Sequence, residues 1–276
     1  MHRMELIRGS APSFIPRYRR PSDLEEGIER KADDLLKTGK VQPSTSAFGH
    51  DPVLPKKKEG RWRICIDFKP LDKITVKQKF PIPRVDDILD RLRGSTVYSD
   101  FDFAEAFLQI SIHPVDRHKA AHHTRTDELE YSCMPFSLVN VPAQRQRQVN
   151  HDFLGPMNEG WRVIYMDDVL VFSRNVQEHL QHLRRALQLL RKKQWFVKPQ
   201  KCSFFMHTIS FLRCHASAAG VEPDPAKIGA IQRWPLPMYK RTDVQKSLGL
   251  ASYYRNFIHG FARIVASLTD LLKKQK

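Results

Sequence analysis

The feature that most constrains the fold is an acidic pair, Asp167–Asp168, enclosed by two apolar segments. Val163 and Ile164 precede the pair, and apolar residues at 169–172 follow it. Each flank has the length of a short strand, so the sequence predicts a tight hairpin with both carboxylates at its tip. At ~4 Å and an effective dielectric of about 20, two like charges cost roughly 4 kcal/mol. The pair therefore indicates a divalent-metal site, and the alternative is a surface turn in which Asp is a good turn former.

A third acid favours the metal interpretation. Asp102 ends the strand-like segment 97–103, in which alternate side chains point to opposite faces. Sites gather at strand ends in open sheets. If this strand lies beside the hairpin, Asp102, Asp167 and Asp168 converge. Three such carboxylates can hold two Mg²⁺ ions about 3.5–4 Å apart, the arrangement used in nucleotidyl transfer.

Charge and composition narrow the class of partner. The chain has 276 residues, 41% of them hydrophobic, and a formal net charge of +16. This size allows one large or two to three small folded units. The positive charge favours a polyanion, either nucleic acid or an anionic membrane surface. No apolar run approaches the ~20 residues of a spanning helix and no signal-peptide core is visible, so we expect no membrane association.

The cysteines and histidines indicate no second metal site. The four cysteines show no paired spacing, which favours buried thiols in a reduced intracellular protein. A zinc site at Cys202, His207, Cys214 and His215 is the alternative, but the intervals fit no common zinc finger. The pair His122–His123 is interpreted as ordinary strand surface.

Helix and strand patterns alternate over most of the chain and become helical at its end. Capping boxes are predicted at Ser22 with Glu25 and at Thr242 with Gln245. A long helix capped by Asn175 and Glu178 carries basic residues that are either a solvated face or a nucleic-acid contact. Its predicted apolar stripe is Val176, Leu180, Leu183, Leu187 and Leu190. A short helix is predicted after Pro81–Pro83, through Ile88, Leu89 and Leu92 and ending at Gly94, and further helices are predicted over 142–154 and 225–234. Strands are predicted over 52–54, 62–68, 97–103 and 109–112, and an α/β stretch over 204–221.

Many short motifs occur in the order found in one family. They are Lys56–Arg63, Phe80–Arg84, Tyr98–Asp102, Met134–Phe136, Asn140 with Pro142–Ala143, Tyr165–Asp168, Lys201–Cys202, Phe211–Leu212, Trp234–Pro235 and Leu248–Ala251 with Tyr253–Tyr254. With these motifs the chain resembles the reverse transcriptase of gypsy-type long-terminal-repeat retrotransposons and, more distantly, the retroviral enzymes. The resemblance covers the chain from about Leu6 to Lys274.

The resemblance implies an α+β right-hand polymerase fold with a ferredoxin-like palm sheet, mixed α/β fingers and a helical thumb. Residues 1–20 would be an irregular basic segment, 21–215 fingers and palm, and 216–276 a thumb or connection-like helical region. Within this scheme the fingers would be 20–95 and 113–145, and the palm 96–112 and 146–215. We expect no ribonuclease H, protease or integrase domain in this chain.

The resemblance also implies roles for individual residues. Asp102, Asp167 and Asp168 would bind two Mg²⁺ ions, for which Mn²⁺ can substitute, together with the Phe103 carbonyl. Lys201 would donate a proton to pyrophosphate. The deoxynucleotide would contact Lys57 and Arg63 at its triphosphate, Phe107 at its sugar, and Phe136 and Ser137 in the same pocket. Phe211, Leu212 and Arg213 would contact the primer and template. Without the family, Phe107 would be interpreted as core packing.

The chain departs from the family at several positions. Ala106, Ser137 and Arg213 stand where glycine is usual, and glycine often marks a positive φ or a close backbone approach. Val141 replaces alanine. Arg145 replaces a phenylalanine, which puts a charge where the helix usually buries an aromatic ring. Such a charge costs several kcal/mol unless it reaches solvent or an acid.

The sequence therefore predicts an RNA-directed DNA polymerase that extends a primer on an RNA or DNA template with deoxynucleotides. The alternative is a catalytically impaired retroelement remnant that binds nucleic acid without turnover. A two-metal phosphotransferase on a different fold is a third and poorer match. Family analogy places the chain in the cytoplasm within a virus-like particle, as part of a polyprotein with integrase and ribonuclease H segments. The sequence leaves the oligomeric state open.

Overall fold

The computed structural model describes residues 1–55, 64–81, 83–153, 160–166, 168–236 and 240–273. Its helices are α1 Ser22–Lys37, α2 Lys69–Ile74, α3 Val85–Arg91, α4 Val141–Phe153, α5 Val176–Lys192, α6 Pro225–Gln232, α7 Arg241–Tyr253, α8 Phe261–Ile264 and α9 Ala266–Asp270. Its strands are β1 Val41–Pro43, β2 Pro52–Val53, β3 Cys65–Ile66, β4 Val97–Asp102, β5 Ala121–His123, β6 Glu128–Tyr131, β7 Arg162–Tyr165, β8 Asp168–Ser173, β9 Ser203–Met206, β10 Thr208–Phe211, β11 Cys214–Ser217 and β12 Gly220–Pro223.

The chain divides into two compact units. Unit 1 comprises Met1–Pro83, Asp100–Leu170 and Arg185–Cys202. Unit 2 comprises Arg84–Ser99, Val171–Arg184 and Ser203–Lys276. Strands β4 and β8 and helix α5 each run from one unit into the other. This division cuts the chain at other points than the expected fingers, palm and thumb, whose limits stay a prediction.

The sheet that carries the acidic hairpin has the strand order β7-β8-β4-β9. Its inner strands are largely buried, since Val97–Ser99 and Phe101 of β4 and Val169–Ser173 of β8 are buried, and the run in β8 is mostly apolar. Strands buried on both faces read as continuous apolar runs rather than as alternating patterns. The predicted alternation over 97–103 is therefore expressed only weakly. Three smaller sheets have the orders β1-β6-β5, β10-β11-β12 and β2-β3.

The predicted apolar stripe of α5 is wrong in register. Leu183 and Leu190 are buried as expected, but Val176, Leu180 and Leu187 are 56%, 49% and 43% exposed. A polar residue takes one inward position, because the ring nitrogens of fully buried His179 bond the hydroxyls of Ser99 and Ser173 at 2.7 and 3.0 Å. The predicted cap is confirmed, since the Asn175 side chain accepts a hydrogen bond from Glu178 N at 2.9 Å.

Both predicted capping boxes are wrong. Helix α1 begins at Ser22 itself after Pro21, and Glu25 is buried in ion pairs with Arg17 and Arg20. Helix α7 begins at Arg241, so Thr242 lies inside its first turn rather than at its cap. A capping box needs the Ser or Thr at the N-cap itself. Ser22 lies one residue after the N-cap Pro21, and Thr242 lies two residues after the N-cap Lys240.

Other predicted elements change type or length. The stretch 204–221 is all β and contains β9–β11 and the start of β12 rather than an α/β unit. The expected strand over 109–112 is reduced to isolated bridges at Ser111 and Ile112, after a 3₁₀ turn at Ala106–Gln109. The strand expected over 62–68 is described only at Cys65–Ile66, and the turn Lys56–Gly60 lies outside the described residues.

His122 is fully buried, which contradicts its interpretation as strand surface. Its ring lies 5.0 Å from that of Tyr131, and a bridge to His50 covers the other side of β5. Burial lowers the pKa of His122 to about 3, and the neighbouring His123 and His50 add to the effect. The four cysteines form no disulfide, as expected. No helix in the described ranges is long and apolar enough to cross a membrane.

Candidate active site

The site starts from the pairing of two six-residue strands, β4 and β8. Thr96, just before β4, donates its backbone N–H to Ser173 O at 2.9 Å, at the far end of β8. The two neighbouring strands are therefore antiparallel, so the last residue of β4, Asp102, lies at the same sheet end as the first residue of β8, Asp168. The expectation that the Asp102 strand lies beside the hairpin is confirmed.

The acidic hairpin has the predicted form. Strands β7 and β8 are neighbours in the sheet and are joined by two residues, Met166 and Asp167. Met166 adopts the left-handed conformation with a φ of 51°. That conformation is uncommon for a residue with a side chain and persists where surrounding contacts fix it. Asp168 is exposed, and Asp167 lies outside the described residues.

Asp102 faces two lysines. Lys201 Nζ lies 3.4 Å from Asp102 Oδ2, and Lys198 Nζ lies 3.8 Å from Asp102 Oδ1. The backbone places both, because Lys198 N donates to Asp102 O at 2.8 Å and Lys201 N donates to Lys198 O at 2.9 Å. Sequence reasoning singled out Lys201 and missed Lys198. The position of Lys198 just before the Pro199–Lys201 turn was the available clue.

Two aromatic rings meet on the same unit. The rings of Phe107 and Phe136 lie 5.0 Å apart in a T-shaped arrangement. Phe136 is 57% exposed, and Phe107 is half-buried. Ser137 is anchored, because its hydroxyl donates to Ile66 O at 2.6 Å. An exposed ring against a half-buried one leaves apolar surface open, as a sugar or base would require. The expected triphosphate contacts Lys57 and Arg63 lie outside the described residues.

Arg145 is buried, so its charge lies at the inward position where the family resemblance implied an aromatic ring. It is 1% exposed, yet its guanidinium donates to Met166 O. Its central carbon lies 5.1 Å from the ring centroid of Phe103 and 5.4 Å from that of Phe107. An aromatic face and a carbonyl oxygen both stabilise a guanidinium, as solvent and acids do. The clue in the sequence was the nearby set of aromatic residues.

The expected primer contact is the two-residue turn between β10 and β11, in unit 2. Phe211 is buried, whereas Arg213 is exposed. Leu212 and Arg213 have φ values of 50° and 60°, the pair of positive angles that a type I′ hairpin turn requires. Two tyrosines hold the turn, since Tyr253 OH donates to Leu212 O at 2.5 Å and Tyr254 OH donates to Arg213 O at 3.1 Å. Burial raises the pKa of Tyr254, so its hydroxyl stays a donor.

The three positions where the family has glycine therefore differ in backbone conformation. Neither Ala106 nor Ser137 has a positive φ, so both positions accept a side chain without backbone strain. Only Arg213 occupies a conformation that favours glycine. Glu105, next to Ala106, also has a positive φ of 44°, so the Ala106 loop is left-handed at the preceding residue rather than at Ala106 itself.

The donor set fits a magnesium site. Carboxylate oxygens are the ligands that Mg²⁺ prefers, and the Asp102 carboxylate already attracts two cationic groups. Among the described residues no three His, Cys, Asp or Glu side chains gather at metal-binding distance. Asp167, one of the three expected acids, lies outside the described residues.

Comparison with known proteins assigns the family. Residues 54–216, more than half the chain, match the family described as reverse transcriptase (RNA-dependent DNA polymerase). The chain belongs to the reverse transcriptase family. It is 31% identical over 271 residues to the retrovirus-related Pol polyprotein from transposon 297 of Drosophila melanogaster, covering 96% of this chain and 25% of that protein. It is 30% identical over 271 residues to the transposon Tf2-3 polyprotein of Schizosaccharomyces pombe, covering 98% and 20%.

Solved structures agree on the fold. A foamy viral protease-reverse transcriptase in complex with double-stranded DNA matches with a TM-score of 0.86 at 22% identity, covering 100% of this chain and 57% of that one. The same type of protein in complex with an RNA/DNA hybrid matches with a TM-score of 0.80 at 22% identity, covering 97% and 36%. The reverse transcriptase described here thus has the predicted α+β right-hand polymerase fold. It spans about a quarter or less of the curated polyproteins that it matches.

Proposed function

We propose that this reverse transcriptase is an RNA-directed DNA polymerase that extends a primer with deoxynucleotides on an RNA or DNA template. The observation that carries the proposal is the antiparallel pairing of β4 with β8, which brings Asp102 and Asp168 to one sheet end. Asp167 lies between Met166 and Asp168 in the sequence. The net charge of +16 suits a nucleic-acid partner.

The acids would hold two Mg²⁺ ions, with Mn²⁺ able to replace them. Reverse transcriptases depend on divalent metal ions. When bound, the ions lower the pKa of the primer 3′-hydroxyl and neutralise the triphosphate. Asp102, Asp167, Asp168 and the Phe103 carbonyl are the proposed ligands. Lys198 and Lys201 form ion pairs with Asp102.

The remaining residues orient the nucleotide and the primer. Lys201 is the proposed proton donor to the leaving pyrophosphate, and Lys57 with Arg63 would bind the triphosphate, Arg63 by two parallel hydrogen bonds. Phe107, supported by Phe136, would clash with a ribose 2′-hydroxyl and so select deoxynucleotides. Anchored Ser137 would border the same pocket.

In unit 2, the turn Phe211–Arg213 would contact the primer and template.

One observation favours the second candidate function, a remnant that binds nucleic acid without turnover. Leu212 and Arg213 are consecutive non-glycine residues in the left-handed conformation. A misplaced primer end can cost roughly 10²-fold in rate for ~1 Å of displacement.

Primer extension on poly(rA)–oligo(dT) with Mg²⁺ or Mn²⁺ separates the two functions. We expect extension by the parent chain and a loss of at least about 10³-fold in Asp102→Asn and Asp167→Asn, because each variant removes a metal-binding charge. Salt-sensitive duplex binding without extension would support the remnant instead. Extension that survives Asp167→Asn would contradict the metal assignment.

A further inference from the structure

The inference concerns Arg145, a buried cation that the proposed mechanism does not use. Arg145 lies in the second turn of α4 and is among the largest fully buried side chains of the described chain. Burying a guanidinium is costly unless strong contacts replace its water. We therefore expect the contacts of Arg145 to fix the positions of neighbouring groups.

The guanidinium contacts two groups that belong to different parts of the proposed site. One Nη donates to Met166 O, the carbonyl just before Asp167. The planar group also lies against the ring of Phe107, with 5.4 Å between its central carbon and the ring centroid. The rings of Phe103 and Trp195, at 5.1 and 6.0 Å, complete an aromatic surround. One side chain therefore touches both the acidic turn and the proposed sugar sensor.

The next residue on α4 reinforces the turn. Gln146 accepts a hydrogen bond from Met166 N at 3.0 Å and donates to Ile164 O at 3.3 Å. Arg145 and Gln146 together bind three backbone groups at the end of β7. The left-handed φ of Met166, 51°, is the kind of conformation that persists only where its surroundings fix it. The Arg145 bond is the one on the Asp167 side of that residue.

We propose that Arg145 is a positioning residue for nucleotidyl transfer, whose single guanidinium fixes the Met166 backbone, which precedes Asp167 in the sequence, and the Phe107 ring. The inference rests on the proposed function for its catalytic meaning, but the contacts themselves stand without it. A phenylalanine at this position could fill the aromatic surround, yet it could not donate to Met166 O. A lysine could donate, but its ammonium would not lie flat against Phe107.

The direct test is amide hydrogen exchange, followed by mass spectrometry, in the peptide that contains Ile164–Val169. We expect exchange about 10- to 100-fold faster in Arg145→Met than in the parent, given the strength of a hydrogen bond with a charged donor. Arg147→Met is the matched control, because Arg147 lies on the same helix and is exposed. Parental exchange in Arg145→Met would overturn the inference, and so would equal acceleration in Arg147→Met.

A second readout addresses Phe107. The preference for deoxynucleotides over ribonucleotides, measured as a ratio of kcat/KM values, should fall about tenfold in Arg145→Met and in Arg145→Lys. Turn exchange in Arg145→Lys should lie between that of the parent and that of Arg145→Met. If Arg145→Met does not fold, Arg145→Lys provides the test. Hydrogen exchange and sugar discrimination equal to those of the parent in Arg145→Lys would then overturn the inference.

Different results would contradict the proposed polymerase function and the proposed role of Arg145. Absence of extension by the parent would remove the proposed function, and the exchange comparison would still judge whether Arg145 orders the turn. Normal extension by the parent, with parental exchange and discrimination in Arg145→Met, would remove the inference and leave the proposed function intact.

Discussion

Arg145 and Arg213 each stand where the resembled family has another residue, and the molecule treats them in opposite ways. Arg145 is buried in unit 1, where it donates to a carbonyl and lies against aromatic faces. Arg213 is exposed in unit 2, has a φ of 60°, and lies over the Tyr253 ring at 5.3 Å. Arg145 makes specific contacts with its surroundings, whereas Arg213 has the positive φ that favours glycine. An unusual residue is therefore informative only together with its surroundings.

The largest expected effect follows from truncating the buried arginine. Arg145→Ala should lower the free energy of unfolding by about 2–4 kcal/mol, because it leaves Met166 O without its charged donor and opens a cavity among aromatic rings. Chemical denaturation of the parent and the variant measures the change. Arg147→Ala, on the exposed side of the same helix, should change it by less than about 0.5 kcal/mol. Equal losses in both variants would refute the distinction between buried and exposed arginines.

Acid should affect unit 1 through its histidines rather than through Arg145. Burial lowers the pKa of His122 to about 3, whereas the unfolded chain binds this proton below a pKa of about 6.5. The neutral form is thus favoured on folding, and the free energy of unfolding should fall as the pH drops below 6.5. Each pH unit costs about 1.4 kcal/mol for such a histidine.

Denaturation at pH 7.5, 6.5 and 5.5 tests this prediction with His122→Phe as the variant. The variant should show a flatter decline than the parent. The loss caused by Arg145→Ala should be the same at all three pH values, since arginine does not titrate there. Parallel pH curves for the parent and His122→Phe would contradict the account of His122.

The smallest expected effect is at the exposed arginine. Arg213→Gly should be about 0.5–1 kcal/mol more stable than Arg213→Ala, because both lose the contact with Tyr253 and only glycine relieves the left-handed strain. The comparison between the two variants isolates the backbone term. Equal stability of the two would show that the turn tolerates a Cβ without cost.

Local patterns predicted the proposed catalytic frame well. The hairpin at Asp167, the strand ending at Asp102 and the helix over 141–153 depend on short apolar runs and turn residues, so the sequence contains them directly. That β4 lies beside the hairpin was a condition of the metal interpretation, and the structure supplied both the pairing with β8 and its antiparallel direction.

The partners of buried polar side chains could not be predicted where those partners are distant in the sequence. His179 occupies an inward position of α5 because hydroxyls on two strands bond its ring, and no periodicity indicates that. His122 is buried because His50 covers β5 from elsewhere in the chain. Arg145 donates to the carbonyl of Met166, which follows a different element, β7. In each case the partner is distant in sequence, and a helical or strand pattern carries no information about it.

Incorporation of a single deoxynucleotide on an RNA template is the measurement that tests the account most directly. We expect the parent to extend the primer with Mg²⁺, Arg145→Met to be at least about tenfold slower, and Arg213→Gly to be faster. The opposite responses would show that one arginine supports the proposed site and the other strains it. No extension by the parent with either Mg²⁺ or Mn²⁺, or an Arg145→Met variant as fast as the parent, would contradict the account.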